Sequence, residues 1–117
     1  MTKKRFDNKS TEFGLWLRLQ EEIDSSLGYI TTNLDYTWCN YKTGDWLLIE
    51  EKRYGGKIKL WQSQLFERIN KLCQADEHYH GFHRIVFERT NPNDGTIQLD
   101  GKTITKEELL QFLQFKL

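Results

Sequence analysis

The chain has 117 residues, with 17 basic and 17 acidic side chains and no net charge. That length suits one domain with its own core, and the charge balance excludes a histone-like binder that relies on excess Lys and Arg. Two cysteines, Cys39 and Cys73, lack Cys-x-x-Cys spacing and imply a reducing compartment with no disulfide framework.

No apolar run approaches the ~18 residues of a membrane span, and no signal-peptide core follows Met1–Arg5. The expectation is a soluble, cytoplasmic protein without a membrane partner. Residues 1–10 carry Lys3, Lys4, Arg5 and Lys9 and read as a flexible basic terminus ahead of a single domain over 11–117. Ser10 or Thr11 can cap a helix over 11–26, with Phe13, Trp16, Gln20, Ile23 and Leu27 at helical spacing and Gly28 as a stop. A short strand is expected over 28–32.

Residues 33–54 read as a β-hairpin, two runs rich in aliphatic and aromatic residues around Lys42-Thr43-Gly44-Asp45. A two-residue loop, Thr43-Gly44, sets Lys42 against Asp45, Thr37 against Glu50 and Asp35 against Lys52. Opposite residues share a face, so Asp35, Glu50 and Lys52 converge near the open end. A three-residue loop with a Gly bulge would shift the pairing by one and bring Glu51 and Arg53 to Asp35 instead. Two close carboxylates repel unless a proton or cation lies between them. Hard oxygen ligands suit Mg²⁺ or Mn²⁺, and a lysine beside them suits phosphodiester hydrolysis. A plain charged strand end accounts for the same residues.

Tyr54-Gly55-Gly56-Lys57 breaks the strand, as a simple turn or as a loop that a phosphate backbone can approach. A second helix is expected over 59–74, with Trp61, Leu65, Ile69, Leu72 and Cys73 on its buried arc. Gln62 falls on that arc, where an amide needs partners. Arg68 and Lys71 lie on the wet side. His78, His80 and His83 could gather a metal, though their spacing matches no zinc motif. Phe82–Arg89 reads as a strand entering beside the hairpin by a crossover. Asn91–Gly95 is a turn, Thr96–Leu99 a short strand, and Asp100-Gly101 a tight turn. Thr105-Lys106-Glu107-Glu108 has capping-box form and opens a closing amphipathic helix.

The order is α-β-β-β-α-β-β-α, an α/β (α+β) domain with a mixed central sheet flanked by helices. Asp35 followed by Trp46-Leu47-Leu48-Ile49-Glu50-Glu51-Lys52 resembles the PD-(D/E)XK nuclease superfamily, which includes restriction endonucleases and Holliday-junction resolvases. Leu34 stands where that motif often has Pro. The resemblance covers roughly 11–90 and implies a restriction-endonuclease-like core with a C-terminal β-α extension. It implies Mg²⁺ or Mn²⁺ held by Asp35 and Glu50 with the Glu51 carbonyl, and Lys52 acting on the attacking water. In that superfamily a first-helix glutamate often joins the metal site, a role open to Glu12 or Glu22; a solvated helix face accounts for the same acids. Gln62-Ser63-Gln64-Leu65-Phe66 resembles the Gln-x-x-x-Tyr motif of some members, which implies that Gln62 helps place water or substrate.

The function expected is a metal-dependent DNA nuclease, with Arg53, Lys57 and Arg68 as nucleic-acid contacts and a homodimer if both strands are cut. The alternative is a non-catalytic nucleic-acid-binding domain of the same fold, or a protein-interaction module that uses Trp38, Trp46 and Trp61.

Overall fold

The computed structural model describes residues 12–116, so the basic stretch 1–10 lies outside it. Contacts divide the chain at 32/33 into two compact units. Among the described residues, no helix is long and apolar enough to cross a membrane.

In the first unit, α1 spans Glu12–Arg18. The single helix expected over 11–26 is corrected: single turns of 3₁₀ helix follow at Glu21–Ile23 and Ser25–Leu27, after an extended Gln20. The chain is already extended at Gln20, and Asp24 caps the second of these turns. Its carboxylate accepts from both the backbone N–H (3.0 Å) and the hydroxyl (2.6 Å) of Ser26, a local cap that competes with helix continuation. Gly28 ends this stretch at φ 99°, in the left-handed region. The strand expected over 28–32 does not form. Gly28 closes the second 3₁₀ turn, and among the described residues no strand pairs with 29–32.

The second unit is a five-stranded sheet in the order β1-β2-β3-β4-β5. The strands are β1 Tyr36–Cys39, β2 Trp46–Lys52, β3 Tyr79–Phe87, β4 Ile97–Leu99 and β5 Lys102–Ile104. β2 and β3 run parallel, joined by α2 (Leu60–Cys73) as the crossover; every other neighbouring pair is antiparallel. β2 reads as a near-continuous apolar run because it is covered on both faces, and Leu47, Leu48 and Ile49 are all buried.

Alternation sends Leu47 and Ile49 to one face, where they meet Ile85, Phe87, Ile97 and Leu99. α3 (Lys106–Leu113) closes this core with Leu109 and Phe112. Its start is the expected capping box: Glu108 N–H donates to Thr105 Oγ1 (3.1 Å), and Thr105 N–H to Glu108 Oε1 (3.0 Å). His83 fastens the rim of this face. Its Nδ1 lies 2.7 Å from Asp100 Oδ2 and its Nε2 2.7 Å from the His80 carbonyl.

α2 lies on the other face, rotated from the arc expected for it. Gln62 and Phe66 are its buried residues, whereas Leu65 and Leu72 are 39% and 74% exposed. Two contacts fix the rotation. The Phe66 ring stacks on Phe82 at 4.7 Å. Asn70 Oδ1 accepts from the Tyr79 hydroxyl (2.7 Å) and the Phe82 N–H (3.1 Å).

The hairpin register also differs from the expected one. Thr37 stands opposite Leu48, not Glu50, and Tyr36 opposite Ile49. The last pair at the loop is Asn40 with Asp45, and Asn40 shapes the four residues between: it accepts from Gly44 N–H through its carbonyl and from Lys42 N–H through its side chain, both at 2.9 Å. The displacement is two residues, so each side chain keeps its face. Carried one position past β1, the register sets Asp35 against Glu50 rather than Lys52.

Leu47 is 1% exposed at the centre of this sheet. Leu47→Ala is expected to lower unfolding free energy by about 2–5 kcal/mol in urea titrations, whereas Leu72→Ala on the outer side of α2 changes it by no more than about 0.5 kcal/mol.

Candidate functional site

Burial of Glu50 follows from its neighbours. The run Leu47-Leu48-Ile49 draws β2 into the centre of the sheet and carries the next residue with it, leaving Glu50 only 3% exposed. It points to the α2 face, shared by alternation with Leu48 and Lys52. Two groups gather on one of its oxygens: Gln62 Nε2 donates to Oε2 at 3.3 Å, and Lys52 Nζ lies 3.4 Å from it. The other oxygen, Oε1, is buried and meets no hydrogen-bond donor among the described residues.

Asp35 comes within hydrogen-bonding reach of Glu50. It is held there by the Glu51 backbone N–H, which donates to Asp35 Oδ2 at 2.8 Å. Two carboxylates have no donor between them unless one takes a proton. Burial first, then the hydrogen bond and charge of Asp35, push Glu50 up to about 7, against the pull of Lys52. The site therefore holds a proton more tightly than an ordinary carboxylate does.

The structure thus brings together Asp35, Glu50, Lys52 and Gln62, the four side chains singled out from sequence. Glu51 meets Asp35 only through its backbone. Its side chain lies on the opposite face and accepts from the Tyr36 hydroxyl (3.1 Å) and Arg53 Nε (2.9 Å). Glu51 raises the Tyr36 phenol, chiefly by its charge. The register that would have placed Glu51 and Arg53 side chains beside Asp35 is not the one formed, and Arg53 is engaged in its own ion pair. Lys57 is exposed in the loop after β2, and Arg68 is exposed on α2. Glu12 and Glu22 are both exposed in the first unit.

The three histidines do not converge. His80 Nε2 bonds Asp45 Oδ1 at 2.9 Å, with His78 Nδ1 3.8 Å from the same oxygen, whereas His83 turns to Asp100. Burial works against a charged His83 ring, but its carboxylate and carbonyl partners outweigh it and raise it above the usual imidazole range. Among the described residues, no group of three or more His, Cys, Asp or Glu side chains is gathered to hold a metal. The donor set at Glu50 is two carboxylates.

One neighbour was not legible from sequence. Arg84 on β3 is the register partner of Glu50 and is exposed. That pairing depends on an irregularity between β2 and β3, where Trp46 and Leu48 pair with Tyr79 and Phe82. No protein-family model, curated protein or solved structure matches the chain.

Glu50 binds its proton more tightly folded than unfolded, so the folded chain holds the extra proton between pH 4.5 and about 7. Stability from this group therefore falls as pH rises through that window and is level above it. Glu50→Gln removes the penalty and can donate to Asp35. Relative to wild type, the variant is expected to gain stability from pH 5 to 8, by at most about 3 kcal/mol. Urea unfolding at both pH values checks this, and a gain independent of pH would contradict it.

Proposed function

We propose that this chain is a metal-dependent nuclease of the PD-(D/E)XK type that hydrolyses phosphodiester bonds in DNA. The observation that carries the reading is the buried Glu50 Oε1 without a donor, beside the carboxylate of Asp35. An apolar strand retains such an oxygen at a cost of about 1–3 kcal/mol, and a bound cation removes that cost. Also in support are the antiparallel β1–β2 hairpin bearing these acids, the α2 crossover and the parallel β3.

The residues present fit a hard divalent ion. Mg²⁺ takes one or two carboxylates and keeps several waters, so two carboxylates suffice on the protein side. Asp35 and Glu50 would hold it. When bound, such an ion activates a water and neutralises charge on the phosphate.

The chain's own groups divide the remaining work. Gln62, donating to Oε2, fixes the Glu50 carboxylate and leaves Oε1 for the ion. Glu51 N–H fixes Asp35. Lys52 keeps a cationic proton donor 3.4 Å from Glu50, where negative charge builds on the phosphate during attack. α2 and the apolar part of β2 keep the inner side of the site dry, which strengthens each of these interactions.

Cleavage of a labelled DNA panel with Mg²⁺ or Mn²⁺ tests the proposal. Asp35→Asn, Glu50→Gln and Lys52→Ala are each expected to slow cleavage by about 10²-fold or more. Full activity in all three, or cleavage unaffected by chelator, would overturn the assignment. DNA binding without metal-dependent cleavage is the outcome that favours a non-catalytic domain of this fold.

A further inference from the structure

α2 covers only part of its face of the sheet. Beyond Lys52 the face stays open as a groove of about 660 Å³ that runs over β3 and β4. Its cations are Lys52, Lys57 and Arg84, and its apolar surface comes from Ile58 and Val86. The one acid in its lining, Glu88, is engaged: its Oε1 accepts from Thr96 N–H at 2.9 Å. Among the described residues, neither Lys57 nor Arg84 makes a side-chain ion pair within 4.0 Å. The groove begins at the acid pair, since Lys52 belongs to both and Arg84 is the register partner of Glu50.

Tyr54 adds a separate feature. It lines the groove, is 72% exposed, and sits at φ 55°, a left-handed conformation that costs a bulky residue about 1–3 kcal/mol. The loop is tied down around it. Tyr54 N–H donates to the Arg89 carbonyl (3.0 Å) and Gly55 N–H to the Phe87 carbonyl (3.1 Å), clamping the end of β2 to the end of β3. The clamp holds an exposed aromatic ring against solvent at the edge of a cationic groove. Cations that follow a backbone, together with a ring free to stack on a base, are how proteins hold unpaired nucleic-acid strands. In a duplex the base faces are already stacked on one another, so an exposed ring finds no free face.

We propose that this groove holds a single-stranded nucleic-acid segment leading to the acid pair, with phosphates on Lys57 and Arg84 and a base on Tyr54. The inference rests on the nuclease reading for the fate of the strand at Asp35 and Glu50. The binding itself needs no metal. The substrate is then DNA with an unpaired stretch, such as a single strand, a flap or a gap, rather than a blunt duplex.

Fluorescence anisotropy with a short single-stranded oligodeoxynucleotide and its blunt duplex, both in chelator, tests this. The single strand is expected to bind at least tenfold more tightly. Tyr54→Ala weakens single-strand binding by about fivefold or more. Lys57→Ala and Arg84→Ala each weaken it and reduce the log–log salt slope by about 0.7. Lys42→Ala, in the loop at the opposite end of β2, leaves it unchanged. Preference for the duplex, or single-strand binding indifferent to Tyr54, Lys57 and Arg84, would overturn the proposal. Because Arg84 and Lys57 lie on different elements, a folding defect in one variant leaves the other decisive. Groove binding without metal-dependent cleavage would sink the nuclease reading alone, and cleavage with duplex preference would sink the groove alone.

Discussion

The apolar run Leu47-Leu48-Ile49 is the constraint on which the rest of this structure depends, because it buries Glu50 beside Asp35. Each fully buried Leu or Ile side chain gains roughly 1.5–3 kcal/mol, and Leu47, Leu48 and Ile49 precede Glu50 directly in β2. Their combined gain exceeds the ~1–3 kcal/mol cost of one carboxylate oxygen without a donor. The strand can therefore hold the acid in an unfavourable place. The partners that reach Glu50 do not cancel the cost, since Gln62 and Lys52 both address Oε2 and leave Oε1 facing inward unpaired. What remains is a raised affinity for a proton and, on the proposed reading, a place for a cation.

The two faces of the sheet divide the labour. The α3 face carries the apolar core, and it supplies the stability. Its edge is fastened by polar contacts that stay clear of the acid pair, such as the Trp38 indole donating to the Leu113 carbonyl and His83 held between Asp100 and His80. The α2 face is only partly covered. Phe66 on Phe82 and Asn70 on Tyr79 anchor the helix over the start of β3, placing Gln62 above Glu50 and leaving the far side of the face open. A parallel β2–β3 pair makes this possible, because both strands end on the same side and their C-terminal ends join through the loop at Tyr54 and Gly55.

Much of this was legible in the sequence for identifiable reasons. Alternation placed Asp35, Glu50 and Lys52 on one face, and the two-residue difference in register could not disturb that, because side-chain direction repeats every two residues. The capping box at Thr105 is a purely local device, and it formed as read. Helical period brought Gln62 to the sheet side, although the apolar arc around it centred on Phe66 rather than Leu65. What was not legible depends on local side-chain bonds that compete with the regular pattern, and on contacts between distant segments. The hairpin loop is set by Asn40, and the second 3₁₀ turn by the Asp24 cap on Ser26, where apolar spacing continued and suggested more helix. Arg84 reaches the neighbourhood of Glu50 only through the irregular β2–β3 register, which no spacing within either strand encodes.

The central claim is that the Glu50–Asp35 pair is a cation site held ready by burial, and Mn²⁺ titration calorimetry tests it most directly. At pH 6 the raised Glu50 is largely protonated, so binding must expel that proton, and the heat must scale with the ionisation enthalpy of the buffer. The account predicts release of close to one proton per ion at pH 6 and little at pH 8, with binding abolished in the Asp35→Asn, Glu50→Gln double variant. Binding that survives in the double variant, or no binding by wild type at either pH even with DNA present, would contradict it.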